Sequence, residues 1–427
     1  MHANISKSGR QHNFCSKNYG PKLVTMLSII TLLLSALMLQ PQSLEYSVRG
    51  SVVDAQSRRP VAAASVYIPD RGIATVTNED GTFVIKSDSP ISKLGFTHLG
   101  YRSLTLNAEE GMKVLLPPMA YPLQEASIIS GDPDRIVRAA VDKIKENYPD
   151  RDELLRCFYR ETIRKRQRYI AVNEAVARMY KHSYVWRSIS GDRTALEKSR
   201  IIVSQRRRDT LSVVMVGGPN TATTLDVVKN PDIIFNPTDL DLYSFKMESP
   251  AYIGDRLNFV ISVEPAVRAD YPLYRGRIYI DRESLAFRRV ELSLDMSDPV
   301  KATRMMLLRR PAGLRFTPKE LSIVASYGPG EDGRMRLDYF RSQMAFNCDW
   351  KRRLLATAYT AVSELVVTDK IEPAVQIPRA GQFRSNDVLV DQAPLFLDPD
   401  FWKDYNIIEP SESLESASGR LVRQSSK

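Results

Sequence analysis

Between residues 46 and 128 the chain never runs far without a turn signal, and that punctuation leaves no room for a helix. Val48, Ser51 and Val53 lead to Asp54 and the turn Gln56-Ser57-Arg58-Arg59-Pro60. Ala64–Ile68 is followed by Pro69-Asp70-Arg71-Gly72, and Ala74–Thr77 by Asn78-Glu79-Asp80-Gly81. The last of these is a hairpin signal, because Asp-Gly supplies the positive φ that tight turns require. Thr82–Lys86 returns, Gly100-Tyr101 breaks the next strand pair, and Met112–Leu116 closes the series. About seven short strands in a segment of this size is the density of a β-sandwich.

The segment ahead of it reads as an export signal. Lys7, Arg10, Lys17 and Lys22 form a basic stretch without acids, Leu23 to Leu39 is uncharged and apolar, and Gln40-Pro41-Gln42-Ser43 is polar. That order is the order of a secretory signal peptide over residues 1–43. The mature chain is therefore expected to begin near residue 40 and to be periplasmic or associated with the outer membrane. The apolar run is close to the shortest membrane span, roughly 17–25 residues, so an uncleaved anchor is the alternative. Cys15 precedes the apolar run and is not placed for lipid attachment.

The chain holds 60 basic and 50 acidic side chains; four of the basic and none of the acidic lie in residues 1–43, leaving +6 beyond them. A balance so close to neutral is not a nucleic-acid footprint. Basic residues do cluster locally, at Arg164-Lys165-Arg166 with Arg168, at Arg206-Arg207-Arg208, at Arg309-Arg310 and at Lys351-Arg352-Arg353. They read as solvated hairpin ends and strand faces; the functional alternative is contact with anionic lipid headgroups or cell-wall polymer. Cys157 and Cys348 are the cysteines beyond the signal. The expected compartment permits a disulfide, and two buried free thiols are the other reading.

Five ordered motifs within the β module carry a family resemblance: Val48-Arg49-Gly50-Ser51-Val52-Val53-Asp54, Pro60–Tyr67, Thr77–Phe83, His98-Leu99-Gly100-Tyr101 and Leu123-Gln124-Glu125-Ala126. Together they resemble the carboxypeptidase-regulatory-like domain. The resemblance implies a transthyretin-like or immunoglobulin-like sandwich over residues 44–128, of a kind common in Gram-negative envelope proteins and often found ahead of TonB-dependent receptors. Ala62-Ala63-Ala64 stands where the family usually has glycines. The chain that follows is too short for a receptor plug and barrel, so a receptor is not expected.

Residues 129–150 read as a helical connector, with Asp132 as cap, Pro133 in the first turn and a stripe of Ile136, Val137, Ala140, Val141 and Ile144. From residue 151 to 408 the alternation has period two: Cys157–Ile163, Tyr169–Val176, then Tyr243, Phe245 and Met247 facing Leu257, Phe259, Ile261 and Val263. Further runs at Tyr274–Asp281, Arg288–Leu294, Leu321–Tyr327, Met335–Arg341 and Leu354–Val367 complete one large antiparallel sheet. The box Gly276-Arg277-Ile278-Tyr279-Ile280-Asp281 with Leu285–Val290 resembles part of the half-barrel of periplasmic lipoprotein carriers; for function the preferred reading is a plain strand–turn–strand unit, and both readings share the fold class. Asp400–Ser411 reads as a docked aromatic segment, and within the polar, partly disordered tail of residues 409–427 a short polar helix is expected. The fold class is thus mainly β: a small sandwich, a helical connector and a large half-barrel-like sheet.

Chemistry is sparse. His98 and His182 are the histidines past the signal, and neither stands in a metalloprotease spacing. There is no Gly-x-Ser-x-Gly elbow, phosphate loop or dinucleotide fingerprint. Asp239 with Asp241, and Glu331-Asp332, are carboxylate pairs set among turn residues. No catalytic, cofactor-binding or metal-binding residue is assigned, no cofactor is expected, and the chain is not expected to be an enzyme. The leading reading is a non-enzymatic binding or scaffolding protein of the envelope. A carrier with an apolar groove and a hydrolase of envelope polysaccharide are the alternatives. Partners are expected among envelope proteins, anionic lipid or cell-wall polymer, with no nucleic acid and with only peripheral or N-terminally anchored contact to a membrane.

Overall fold

The computed structural model describes residues 46–119, 131–350, 356–384, 386–392 and 402–425. Residues 1–43, read as an export signal, the Leu123–Ala126 motif and Lys351–Arg353 lie outside the described residues. Among the described residues no helix is long and apolar enough to cross a membrane.

Seven strands build the N-terminal sandwich: β1 (Tyr46–Asp54), β2 (Ser65–Tyr67), β3 (Ala74–Val76), β4 (Thr82–Ser87), β5 (Lys93–Thr97), β6 (Leu104–Asn107) and β7 (Met112–Leu116). They form one sheet in the order β4-β1-β7 and another in the order β3-β2-β5-β6. The β1–β7 pair is parallel, with Gly50 opposite Met112. Every second residue turns inward, so Val52, Val66, Phe83, Ile85, Leu94 and Phe96 close the core with no exposed surface. Phe83 and Phe96 meet edge to face at 5.7 Å. Gly81 sits at φ 74° in the hairpin turn, where Asn78 Oδ1 accepts from the amides of Asp80 and Thr82.

The connector helix α1 (Pro133–Asp142) begins on Asp132, whose carboxylate accepts from the Asp134 amide. Its Val137, Ala140 and Val141 are buried against the large domain. The sheet of that domain has ten strands: β8 (Glu153–Lys165), β9 (Arg168–Lys181), β10 (Arg193–Val203), β12 (Tyr243–Ile253), β13 (Arg256–Pro265), β14 (Tyr274–Asp281), β15 (Phe287–Leu294), β17 (Leu314–Pro329), β18 (Met335–Trp350) and β19 (Thr357–Ile371). Their order is β10-β9-β8-β19-β18-β17-β15-β14-β13-β12, antiparallel at each step. β19, last of the ten in sequence, lies in the middle of the sheet against β8, so closing it waits for the end of the domain. A two-stranded ribbon, β11 (Val214–Met215) with β16 (Leu307–Arg309), lies beside it.

The two faces of this sheet are covered differently. The inner face is closed by the chain's own segment between β10 and β12: Val227, Val228, Ile234 and Phe235 are fully buried in the large core. Phe235 stacks on Phe287 of β15 at 4.3 Å. Tyr243, Ile261 and Val263 join that core as expected, with Phe245, Met247 and Phe259 half-buried at its margin, whereas Leu257 is not part of it. On the back face, Phe158, Val176, Tyr339 and Val366 meet Val76 of the sandwich together with Trp402 and Ile408.

Two elements add to the expected plan. The C-terminal helix α3 (Glu412–Ser425), expected as short and polar, also buries Leu414, Ala417 and Leu421. Their spacing of three and four residues puts them on one helical face, and Leu414 and Leu421 pack on Val172 and Ile202 of β9 and β10. Helix α2 (Pro299–Met306) stands between β15 and β16. Strand β10 is the other addition, since its charged and β-branched residues alternate too weakly to stand out. Cys157 and Cys348 are both buried free thiols.

Candidate functional site

A cleft of about 800 Å³ opens between the sandwich and the back face of the large sheet. Its sandwich wall is the β2–β3 hairpin, with Asp70 and Gly72 both at φ 62°, and the end of β5 at His98 and Leu99. Its other wall comes from β15, the β17–β18 hairpin and the end of β19. The two walls are joined at one corner: Leu99 bridges Ile253, and the Gly100 amide donates to Tyr252 O at 2.8 Å.

The C-terminal segment straps them together at the other side. Thr75 donates to Ile407 O at 2.9 Å, and Asn406 exchanges two hydrogen bonds with the Lys86 backbone. Lys86 Nζ donates to the carbonyls of Trp402 and Tyr405. On the sheet side Trp402 meets Phe158 edge to face and donates to Glu174 Oε2 at 3.2 Å. Glu174 is fully buried between Arg160 and Arg200, at 2.7 and 2.6 Å. Burial alone would raise its carboxyl, and the two guanidinium groups outweigh that and hold it low. The strap fixes the spacing of the cleft walls.

Three polar groups in the cleft have unused bonding capacity. Arg288 is 8% exposed; its Nε donates to Tyr327 O at 3.3 Å, and among the described residues its Nη nitrogens make no hydrogen bond. Asp338 Oδ1 is buried with no hydrogen-bond partner. Burial pushes the Asp338 carboxyl up to about 6, against the opposing pull of Arg288 and Arg289. His98 is brought down to about 4 by burial and by Arg289, and its Nδ1 bonds Leu99 O at 2.9 Å. It is neutral at physiological pH, which leaves Nε2 as the ring's second bonding atom. Around them charges of both signs are already paired: Arg336 with Glu153 and Asp332, Arg289 with Glu291, Arg256 with Asp281. Such a wall offers donors and acceptors to a ligand with little net field.

Under the inner face lies a second polar cluster of another kind. Lys181 Nζ is 2.6 Å from Asp226, Lys229 pairs with Asp192, and Tyr184 and Tyr327 both donate to Asp226 at 2.7 and 2.8 Å. All four charged side chains are essentially without exposed surface. Burial would raise the Asp226 carboxyl, but Lys181 and the phenols keep it low; burial and the neighbouring Lys181 bring Lys229 down to about 8. With charges matched and no opening to solvent, this cluster pins the inserted segment to β9 and β17. It is a fastening.

The sequence-derived candidates do not converge. Asp239 and Asp241 lie in the turn entering β12, where Asp241 pairs with Arg138. Glu331 and Asp332 lie in the β17–β18 turn at the opposite end of the sheet, on the rim of the cleft. His98 follows β5 and lines the cleft, whereas His182 follows β9 and pairs with Asp152 at 3.0 Å. Among the described residues no group of three metal-ligating side chains comes together. Arg288 and Asp338 were missed because each occupies an ordinary strand position, and only the packing of the sandwich on the sheet makes them walls of a cavity.

Residues 48–125 match the family described as the CarboxypepD_reg-like domain. No curated protein matches the chain in sequence. Among solved structures, a DUF1329 family protein from Desulfovibrio piger is similar at 11% identity and a TM-score of 0.24, over 59% of this chain and 100% of that one. A LolA superfamily protein from Nitrosomonas europaea is similar at 8% identity and a TM-score of 0.20, over 57% of this chain and 98% of its own. A putative membrane-associated protein of unknown function from Bacteroides fragilis is similar at 10% identity and a TM-score of 0.15, over 78% of this chain and 100% of its own. Scores this low carry no inference about activity. The family match covers the sandwich, and the sandwich of this chain is similar to CarboxypepD_reg-like domains.

Proposed function

We propose that this chain is a non-enzymatic binding or scaffolding protein of the cell envelope, and that the cleft between sandwich and sheet holds its ligand. The observation that carries the reading is the asymmetry of the two faces. A carrier of acyl chains needs an apolar groove, and here the inner face of the sheet is filled by Val227, Val228, Ile234 and Phe235 from the chain itself. The cleft, in contrast, is open, of ligand size, and walled by Arg288, Asp338 and His98 with bonding capacity to spare. The order of basic, apolar and polar stretches in residues 1–43 and the resemblance of the sandwich to an envelope module support the envelope part of this reading.

The test is an NMR-monitored screen of envelope fragments (short peptides, glycan fragments and lipid headgroups) against the wild type and Arg288→Ala. Shifts confined to the cleft residues, lost in the variant, are expected. Shifts centred on Phe235 and Ile261 would contradict the assignment and favour a carrier.

A further inference from the structure

The register of the large sheet gathers at one end several basic clusters that lie far apart in sequence. Lys165 pairs with Arg168 across the β8–β9 hairpin and stands beside Tyr359 at the entry of β19. β10 leaves at the same end, with Val203 opposite Ala171. β17 enters there too, with Leu314 opposite Trp350. The hairpin tip thus brings Arg166, the exit of β10 brings Arg206, Arg207 and Arg208, and the approach to β17 brings Arg309 and Arg310, all exposed.

These cations differ from those on the flanks of the sheet, where Arg156 meets Glu197 and Asp369, and Arg277 meets Glu248. At the rim the one acid next to the arginine run, Asp209, is buried and already held by Arg168 and Lys165. Arg166, Arg206–Arg208, Arg309 and Arg310 make no ion pair among the described residues. From Pro299 to Lys319 the sequence has six basic and no acidic side chains.

Exposed apolar groups share this end. β15 leaves the sheet here, beyond Ser293 opposite Ser322, and leads into α2 and β16, where Val300, Met305 and Leu308 are 65%, 42% and 41% exposed. The loop joining β13 to β14 is tied to α2 by Lys301 Nζ donating to Ala269 O at 2.8 Å; it carries acid at Asp270, and its Tyr271 donates to Asp239 at 3.5 Å, so the apolar part of the rim is α2 and β16.

We infer that this rim docks on the surface of an anionic lipid bilayer. Unpaired cations beside exposed apolar side chains satisfy both parts of interfacial binding, attraction to anionic headgroups and shallow burial of apolar groups. A soluble polyanion would answer the charge and leave the apolar groups uncovered. The surface lies at the sheet end away from the β17–β18 hairpin that borders the cleft, so it stands or falls independently of the ligand assigned there.

Cosedimentation of the purified protein with phosphatidylcholine vesicles, with and without phosphatidylglycerol, tests it. Binding is expected only with phosphatidylglycerol, and it should weaken at least about tenfold between about 0.05 and 0.5 M salt. R206E/R207E/R208E and R309E/R310E should each lose at least about tenfold in binding while keeping the wild-type melting temperature. V300S/M305S/L308S should weaken it at low salt as well. Equal pelleting with both vesicle types, unchanged binding by both charge-reversal variants, or binding of soluble polyphosphate without vesicle pelleting would overturn the proposal. Should one reversal variant misfold, the salt titration of the wild type and the other variant decide.

Discussion

Asp338 and His98 line the same cleft and titrate in opposite senses. Asp338 moves from an ordinary 3.8 up to about 6, so the folded state holds its proton more tightly than the unfolded chain does. The stability this confers is complete below pH 3.8 and is lost as the pH rises through 6. Asp338→Asn keeps the neutral form at every pH. It should match the wild type near pH 3.5 and exceed it above pH 6 by on the order of 3 kcal/mol, read from urea melts across the range. His98 is depressed from 6.5 to about 4, so its contribution is present above pH 6.5 and is lost as the pH falls through 4. Gly81 is a simpler case. At φ 74° an added Cβ would come within 2.5 Å of Val52 O, so Gly81→Val should cost more than about 1 kcal/mol. A Gly81→Val variant as stable as the wild type would refute the turn assignment. Gly81 was legible in the sequence because Asp-Gly has one local meaning. Asp338 and Arg288 were not, because their environment is made in part by a separate domain far earlier in the chain.

At the scale of elements, the segment between β10 and β12 does the most to define what the sheet can do. Phe235, fully buried on Phe287, should cost roughly 3–5 kcal/mol when cut to Ala, because the lost ring leaves a cavity. Phe259, half-buried beneath the Arg282 guanidinium at 5.3 Å, should cost distinctly less. Equal losses at the two positions would mean that the inner face is not closed where the structure closes it. Asp226→Ala strands Lys181 without its 2.6 Å partner, and a loss of about 3–5 kcal/mol is expected from the uncompensated buried charge. Period-two alternation made most of the ten strands readable. The segment that fills their inner face was not, since it has no periodicity, and neither Asp226 nor Lys229 announces a buried pair. The amphipathic face of α3 was hidden in the same way, with three apolar residues dispersed among polar ones.

For the whole molecule, the account holds that a strap from Trp402 to Ile408 locks a sandwich onto the back of a sheet whose inner face is already full, leaving the cleft as the binding space. The two-part β architecture was legible from turn density and alternation. The packing of one part on the other was not, because its contacts join Thr75 to Ile407 and Lys86 to Asn406 across more than three hundred residues. Native mass spectrometry of the protein purified without detergent tests the central claim most directly. The closed inner face predicts the mass of the bare chain, with no lipid retained. A stoichiometric acyl lipid that is retained by the wild type and lost from a Phe235→Ala variant of unchanged melting temperature would contradict it.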